Sequence, residues 1–421
     1  MANRATFQQR FPGISSIVRN GILLAGTQWG ETGIRAVYAI LIAGFLGPEL
    51  YGSWSLALAT YTFAIGFTHF GLESLIPLRL GKDKTAGAFV GTTFLVRLAL
   101  LIIATLLSAA WIAAVETDLF SRTALLIVLP ALLGRGIVLW ARSVFIGLEC
   151  NQIAFRFAIG VRLFELVLGL TLLWLGFGLI TVLIVHVLSW LIEAAFCLTA
   201  LSRHIPLKIA LDRGEFESFA KRGAILGLGT MGLSTLISMP IILTRYVSDD
   251  IGSVGQIAMA IQIASLVVMA VQGMFTAALP VISRAADNDD PRLRFYAMGA
   301  GLGVALVFGL AIVVAQAFGP DFMAFALGEG FRSAGTLLTP ALIAAGLMIA
   351  PVGVWQILVT QDRIWSGVFA SWSGALVLLI ALPLLVQSYG PAGALFAAAL
   401  GWALRAVILV GVLRMSKPNV H

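Results

Sequence analysis

GILLAGTQWGETGIRAVYAILIAGF, residues 21–45, is an apolar run that carries a carboxylate, Glu31, and a guanidinium, Arg35, near its centre. At about 1.5 Å per residue, roughly 20 residues of helix cover the ~30 Å hydrocarbon core of a bilayer. Comparable runs recur at about 21–45, 53–77, 87–114, 123–146, 156–175, 179–201, 223–246, 254–279, 295–318, 336–359, 367–386 and 392–413. Twelve spans are therefore expected. Composition agrees, with 60% apolar residues, 11% charged residues and a mean hydropathy of +0.99, against about 25% charged in a soluble domain. A β-barrel would show alternating segments of about ten residues, and these runs do not alternate. The first run is too long and polar for a signal-peptide core, and no small-residue cleavage site follows, so it is expected to be retained.

Orientation follows from Lys and Arg in the short connections. The N-terminus, the even-numbered loops and the C-terminus hold Arg4, Arg10, Arg19, Arg79, Lys82, Lys84, Arg142, Arg156, Arg203, Lys208, Arg213, Lys221, Arg222, Arg284, Arg292, Arg294, Arg363, Arg414 and Lys417. The opposite loops hold only Arg122, Arg245 and Arg332, together with Glu49, Glu116, Asp118, Asp249, Asp250, Asp321 and Glu329. Both termini are expected in the cytoplasm, and the net charge of +7 reads as a topology signal. No nucleic-acid partner is implied, because such binders carry a basic face on a soluble module.

Internal repetition gives the architecture. An offset of 203 residues places Gly26-Thr27 on Gly229-Thr230, Gly52 on Gly255, Ala57 on Ala260 and Pro77 on Pro280; an offset of 212 places LSWLIEAAF, from Leu188, on LGWALRAVI, from Leu400. Six spans separate the copies, so the halves are parallel repeats related by an axis along the membrane normal. The expected fold is all-α integral membrane, about 12 transmembrane helices in two parallel six-helix lobes around a central cavity. The lobes are expected at 1–201 and 223–421, with a cytoplasmic linker at 202–222.

Ionisable residues at membrane depth cost about 2.5 to 3.5 kcal/mol on insertion scales and normally face protein or a wet cavity. The first half holds Glu31, Arg35, Glu73, Arg97, Arg135, Arg162, Glu165 and Glu193, with Arg142 two turns beyond Arg135; the second half offers only Arg405. Two readings stand side by side. Glu31 with Arg35 and Arg162 with Glu165 are neighbours on a helical face, and closed salt bridges within one lobe would balance without a ligand. Arg97 and Arg135 have no acid within one turn, and with Arg142 and Arg35 they form a track for an anion. A guanidinium suits phosphate because its planar fork donates two parallel hydrogen bonds and stays charged where a lysine loses its proton. Cys150 and Cys197 lack CxxC spacing, and the histidines, His69, His186, His204 and His421, show no metal-ligand spacing. His69 and His186, inside spans, read as helix-packing residues.

The stretch FLGPELYGSWSLALATYTFAIGFTHFGLESLIPLRLGK, residues 45–82, resembles the first hairpin of the polysaccharide and O-antigen flippases of the MOP exporter superfamily. Gly47, Pro48, Tyr51 and Gly52 match the family's LGPxxYG turn; His69 stands where many relatives have an acid before FGL. With twelve spans the chain resembles the polysaccharide members more than the fourteen-span lipid II flippases. The resemblance implies a flippase, not an enzyme, that moves a polyprenyl-diphosphate-linked oligosaccharide from the cytoplasmic to the periplasmic leaflet of a bacterial inner membrane by alternating access. The glycan, lipopolysaccharide or exopolysaccharide, would be handed to polymerases and glycosyltransferases. The diphosphate ligands would be Arg35, Arg97, Arg135 and Arg142. Glu31, Glu73, Arg162, Glu165, Glu193 and Arg405 would serve salt bridges or H⁺ or Na⁺ coupling. No cofactor or metal is expected.

A cation-coupled drug or solute antiporter of the same superfamily is the alternative, and a membrane sugar polymerase or transferase is a third. GLGTMG, residues 227–232, satisfies GxGxxG but lies inside a span without a preceding strand, so it is not a dinucleotide site. DNDD, 287–290, reads as a solvated turn.

Overall fold

The computed structural model describes residues 14–205, 210–287, 293–361 and 363–415, and every regular element among them is helical. In order these are α1 (Ile14–Thr68), α2 (Leu72–Lys82), α3 (Gly87–Val115), α4 (Leu119–Gly147), α5 (Asn151–Trp174), α6 (Leu179–Leu201), α7 (Arg213–Ser248), α8 (Ile251–Asp287) and α9 (Leu293–Leu327). A 3-10 turn (Glu329–Phe331), α10 (Arg332–Ile349), α11 (Val352–Thr360), α12 (Ile364–Tyr389) and α13 (Pro391–Met415) complete the chain. Among the described residues, eleven segments are long and apolar enough to span a membrane. The first of these holds two expected spans, which accounts for the twelve.

Those two spans meet at Gly47, with φ 72° and ψ 173°, a conformation that only glycine adopts without strain. Pro48 then opens the second arm, where its missing N–H costs nothing. The second span is not one helix, as 53–77 was read. It stops at Thr68, and Phe70 and Gly71, both at positive φ, turn the chain into α2. The tenth, read as 336–359, divides around Pro351 into α10 and α11, because proline removes an intrahelical hydrogen bond. The seventh starts early, at Arg213, inside the stretch read as a linker, where the Asp212 carboxylate accepts the Glu215 N–H at 3.0 Å. Arg4, Arg10, Lys208, Arg292, Lys417, His421 and positions 288–290 of DNDD lie outside the described residues. GLGTMG is interior to α7, as expected, and there Gly227 and Gly232 give close packing against Phe70 and Ser371.

In the first lobe α4 packs on α6, α5 on α1 and α6, and α3 on α4; in the second α12 packs on α13 and α7, and α10 on α8, α9 and α13. The lobes meet where α1 packs on α7 and α8. At one end of this seam the offset of 203 becomes a contact. A Cβ on Gly52 would lie 2.0 Å from the Ile251 carbonyl oxygen, and one on Gly255 would lie 2.0 Å from the Pro48 carbonyl oxygen. Pro48 and Ile251 are themselves separated by the same offset, so this reciprocal contact sits on the pseudo-two-fold axis between the repeats.

Beside that end, α4 is capped by Asp118, whose carboxylate accepts the Ser121 N–H at 2.7 Å. The Ser121 hydrogen bonds hold this carboxyl below its ordinary range. The stabilisation is complete above the unfolded value of about 3.9 and is lost as pH falls through the lower folded value. Asp118→Ala is expected to cost about 1 kcal/mol, seen as a lower melting temperature in detergent at neutral pH, with the difference from wild type shrinking in acid.

Candidate substrate cavity

Gly134 lets α4 approach α6 closely, since a Cβ there would lie 2.8 Å from the Trp190 backbone carbon. That approach brings Arg135 of α4 against Trp190, which is buried. Three guanidinium carbons lie over its ring: Arg162 of α5 at 3.9 Å from the centroid, Arg135 of α4 at 5.4 Å and Arg35 of α1 at 5.8 Å. The negative ring face attracts cations, but a ring cannot neutralise three of them.

The carboxylates are shared unevenly. Arg142 spans two helices, with Nη1 2.7 Å from Glu31 Oε2 and Nη2 2.5 Å from Glu193 Oε1. Arg162 lies 2.9 Å from the other Glu193 oxygen and also pairs with Glu165. Glu165 accepts from Ser189 Oγ at 2.9 Å and lies 2.5 Å from His186 Nδ1. Two arginines thus hold three glutamates in a closed network, as charges removed from water require. Glu31, Glu193, Arg162, Glu165 and Arg142 come together; the expected pairing of Glu31 with its neighbour Arg35 does not form. Arg135 donates to Thr62 Oγ1 at 3.0 Å and Tyr61 Oη at 3.3 Å. Among the described residues neither Arg35 nor Arg135 touches a carboxylate.

Arg97 is elsewhere. It is 1% exposed, its Nη1 donates to the Thr68 carbonyl and lies 3.1 Å from Glu73 Oε1, and its Nε donates to the Gly136 carbonyl at 3.1 Å. It closes the C-terminus of α1, whose last carbonyls have no intrahelical partner and which ends inside the bundle because of the break at Phe70. Glu73 is completed by His69, whose Nδ1 lies 2.8 Å from it. Arg405, in the second lobe, lies over Trp402 at 5.6 Å, with Ser371 Oγ 3.4 Å from its Nε and no carboxylate contact among the described residues. Of the four arginines expected to bind an anion, Arg35 lines the cavity, Arg135 lies behind Thr62 on its wall, and Arg97 and Arg142 are engaged in ion pairs.

The cavity lies between the lobes and has a volume of about 280 Å³. One wall carries Arg35, Tyr38, Trp54 and Ser55 of α1, with Glu165 and His186 behind; the other carries Ser238, Gln262 and Ser265. Tyr38 Oη and Trp54 Nε1 have no hydrogen-bond partner among the described residues, although their residues are only 4% and 6% exposed. Unpartnered buried polar groups are uncommon and costly. A larger apolar groove of about 510 Å³ lies outside this region, lined by Phe63, Phe67, Ile103, Leu107 and Met239, and holds no charged group.

Sequence reading passed over Tyr61, His186 and Trp190 as site residues. A signal did exist for Trp190, since the offset of 212 repeats it as Trp402. Tyr38, Trp54 and Ser55 gave none, because aromatic and small residues fill any span.

The family described as polysaccharide biosynthesis protein matches residues 17–286. No curated protein matches the chain. Among solved structures it is similar to the lipid II flippase MurJ in an inward closed conformation, with a TM-score of 0.74 at 14% identity over 94% of this chain and 88% of that one. It is also similar to a multidrug resistance MATE family transporter of the MOP superfamily in an inward-facing conformation, with a TM-score of 0.72 at 15% identity over 91% of this chain and 94% of that one. A MOP superfamily transporter from Pyrococcus furiosus Vc1 (DSM3638) gives 0.61 at 16% identity, over 95% of each chain. Such identities speak to fold alone, and the fold is the two-lobed helical bundle derived above. With the family matched over most of the chain and the charged cavity lying between the two lobes, the chain belongs to the polysaccharide biosynthesis protein family.

Proposed function

We propose that the protein flips a polyprenyl-diphosphate-linked oligosaccharide from the cytoplasmic to the periplasmic leaflet of a bacterial inner membrane, for surface polysaccharide assembly. The observation that carries this is the cavity wall, where Arg35, without a carboxylate contact among the described residues, stands beside Tyr38 Oη and Trp54 Nε1, two buried hydrogen-bonding groups with no partner among those residues. A diphosphate drawn into a poorly solvated cavity needs compensating charge, which Arg35 and, behind Thr62, Arg135 supply. Sugar hydroxyls need donors and acceptors, and Tyr38, Trp54, Ser55, Gln262 and Ser265 offer them around aromatic surface. At about 280 Å³ the cavity is at the small end of ligand sites, so it holds the diphosphate and the first sugar while the distal glycan and the lipid tail lie outside. In this reading both termini face the cytoplasm, the glycosyltransferases supply the substrate there, and a polymerase receives it on the other side.

A cation-coupled antiporter for organic cations fits less well. Glu165 is the one carboxylate on the described cavity wall, and Arg162, His186 and Ser189 already occupy it. Arg35→Ala is expected to reduce uptake of a defined lipid-linked oligosaccharide into proteoliposomes at least about tenfold, the effect of one lost charge-assisted contact of 1.5–3 kcal/mol, with membrane insertion unchanged. Wild-type uptake by Arg35→Ala would remove the phosphate role.

A further inference from the structure

His186 is bonded at both ring nitrogens. Nδ1 faces Glu165, while Nε2 lies 2.9 Å from Tyr61 Oη and 3.2 Å from Trp190 Nε1. An indole nitrogen only donates. Nε2 therefore accepts, and the imidazole in this arrangement is neutral, its proton on Nδ1 and donated to Glu165. The indole that fixes this tautomer is also the ring on which Arg35, Arg135 and Arg162 converge.

Tyr61 of α1, Glu165 of α5 and Trp190 of α6 touch the His186 ring; the charged groups joined to it through Trp190 and the ion-pair network are Arg35 and Glu31 from α1, Arg135 and Arg142 from α4, Arg162 from α5, and Glu193 from α6 itself. Four guanidinia stand against three carboxylates, so the cluster is already cationic while His186 is neutral. A further proton there is made more favourable when an anion enters, because Coulomb terms are strong away from water.

We propose that His186 is a proton-binding site linked to anion binding in the cavity. The inference rests on the phosphate reading above and adds to it the residue that takes the proton. A proton from cavity water bonds to the Nε2 lone pair, the Nδ1 proton stays in its bond to Glu165, and Nε2 becomes a donor to the Tyr61 oxygen. The Trp190 N–H then loses its acceptor, which frees the ring that holds the three arginines. By reciprocity the anion raises proton affinity and the proton raises anion affinity, so delivery of the anion releases the proton. His186 thus couples protons to the cycle from a position that reads in sequence as a packing residue.

The test is inorganic pyrophosphate binding to the purified full-length protein, measured by calorimetry in buffers of different ionisation enthalpy. Comparing wild type with His186→Gln cancels the probe's own titration. Wild type is expected to take up more protons per bound anion than His186→Gln, by as much as one, and its affinity to fall by up to about tenfold more per pH unit in the alkaline direction. Trp190→Phe keeps the ring but deletes the donor that favours neutral His186, and is expected to move the wild-type pH profile to higher pH. Equal proton uptake in wild type and His186→Gln overturns the proposal, as does an unmoved profile in Trp190→Phe. Failure of pyrophosphate to bind wild type at any pH overturns the phosphate reading and this proposal with it.

Discussion

Gly52→Val is expected to abolish export while the chain still inserts and folds. The wild-type α-carbons are so close that even a Cβ would lie 2.0 Å from the Ile251 carbonyl oxygen, and the atom in the way is backbone, which cannot rotate aside as a side chain does. The lobes must separate at this end or the two helices must shift. The lesion falls on the seam where α1 packs on α8, and the state with this end closed is the one lost. Ser55, on the cavity wall and 5% exposed, reports on it. With Cys150 and Cys197 replaced by serine and Ser55→Cys introduced, a membrane-impermeant maleimide added from outside is expected to label the Gly52→Val protein and to leave the Gly52 protein unlabelled. Equal labelling would show that the glycine contact does not seal the cavity. Gly255→Val is expected to reproduce the effect, because its Cβ meets the Pro48 carbonyl at the same distance.

Arg142→Ala is expected to be the most destabilising single change in the charged network. Arg142 joins Glu31 of α1 to Glu193 of α6, and Glu193 is fully buried. Removing one partner of a buried pair costs about 3–5 kcal/mol, because the other charge is left without compensation. Lysine is expected to rescue poorly, since a point charge cannot place two parallel donors on two carboxylates as the guanidinium fork does. The diagnostic experiment is to remove the orphaned charges as well. Arg142→Met with Glu31→Gln and Glu193→Gln is expected to recover much of the thermal stability lost in Arg142→Ala; additive losses in a mutant cycle would show that Arg142 contributes through packing alone.

The charge network shows where sequence reasoning reaches. Arg162 and Glu165 are neighbours on α5 and do pair, because a three-residue spacing on a helix fixes their proximity. Glu31 and Arg35 have equally good spacing, yet Glu31 pairs with Arg142, 111 positions away. Helical spacing establishes that two groups are able to meet, while tertiary packing at Gly134 and across α1 decides which alternative is nearer. Arg97 is a harder case. Its presence at membrane depth is explained by the Thr68 carbonyl, which is free only because the helix breaks before Gly71, and FGL within an apolar run does not announce a break. The repeat was the most legible feature, since matched glycines and prolines have few other reasons to recur at one offset, and Gly52 and Gly255 meet in space as well as in register.

That meeting also bears on descent. A contact in which each surface presents the same glycine to the carbonyl four residues before its mate is isologous, the kind made by two identical chains about a dyad. A half-length ancestor that paired with itself would need one glycine to serve both sides. Once the copies were fused, every position away from the dyad was released from serving two roles, and the halves could specialise: Glu193 in one is Arg405 in the other, and the membrane-depth acids all belong to the first. The glycines on the dyad are the ones that a homodimer of either half would still require.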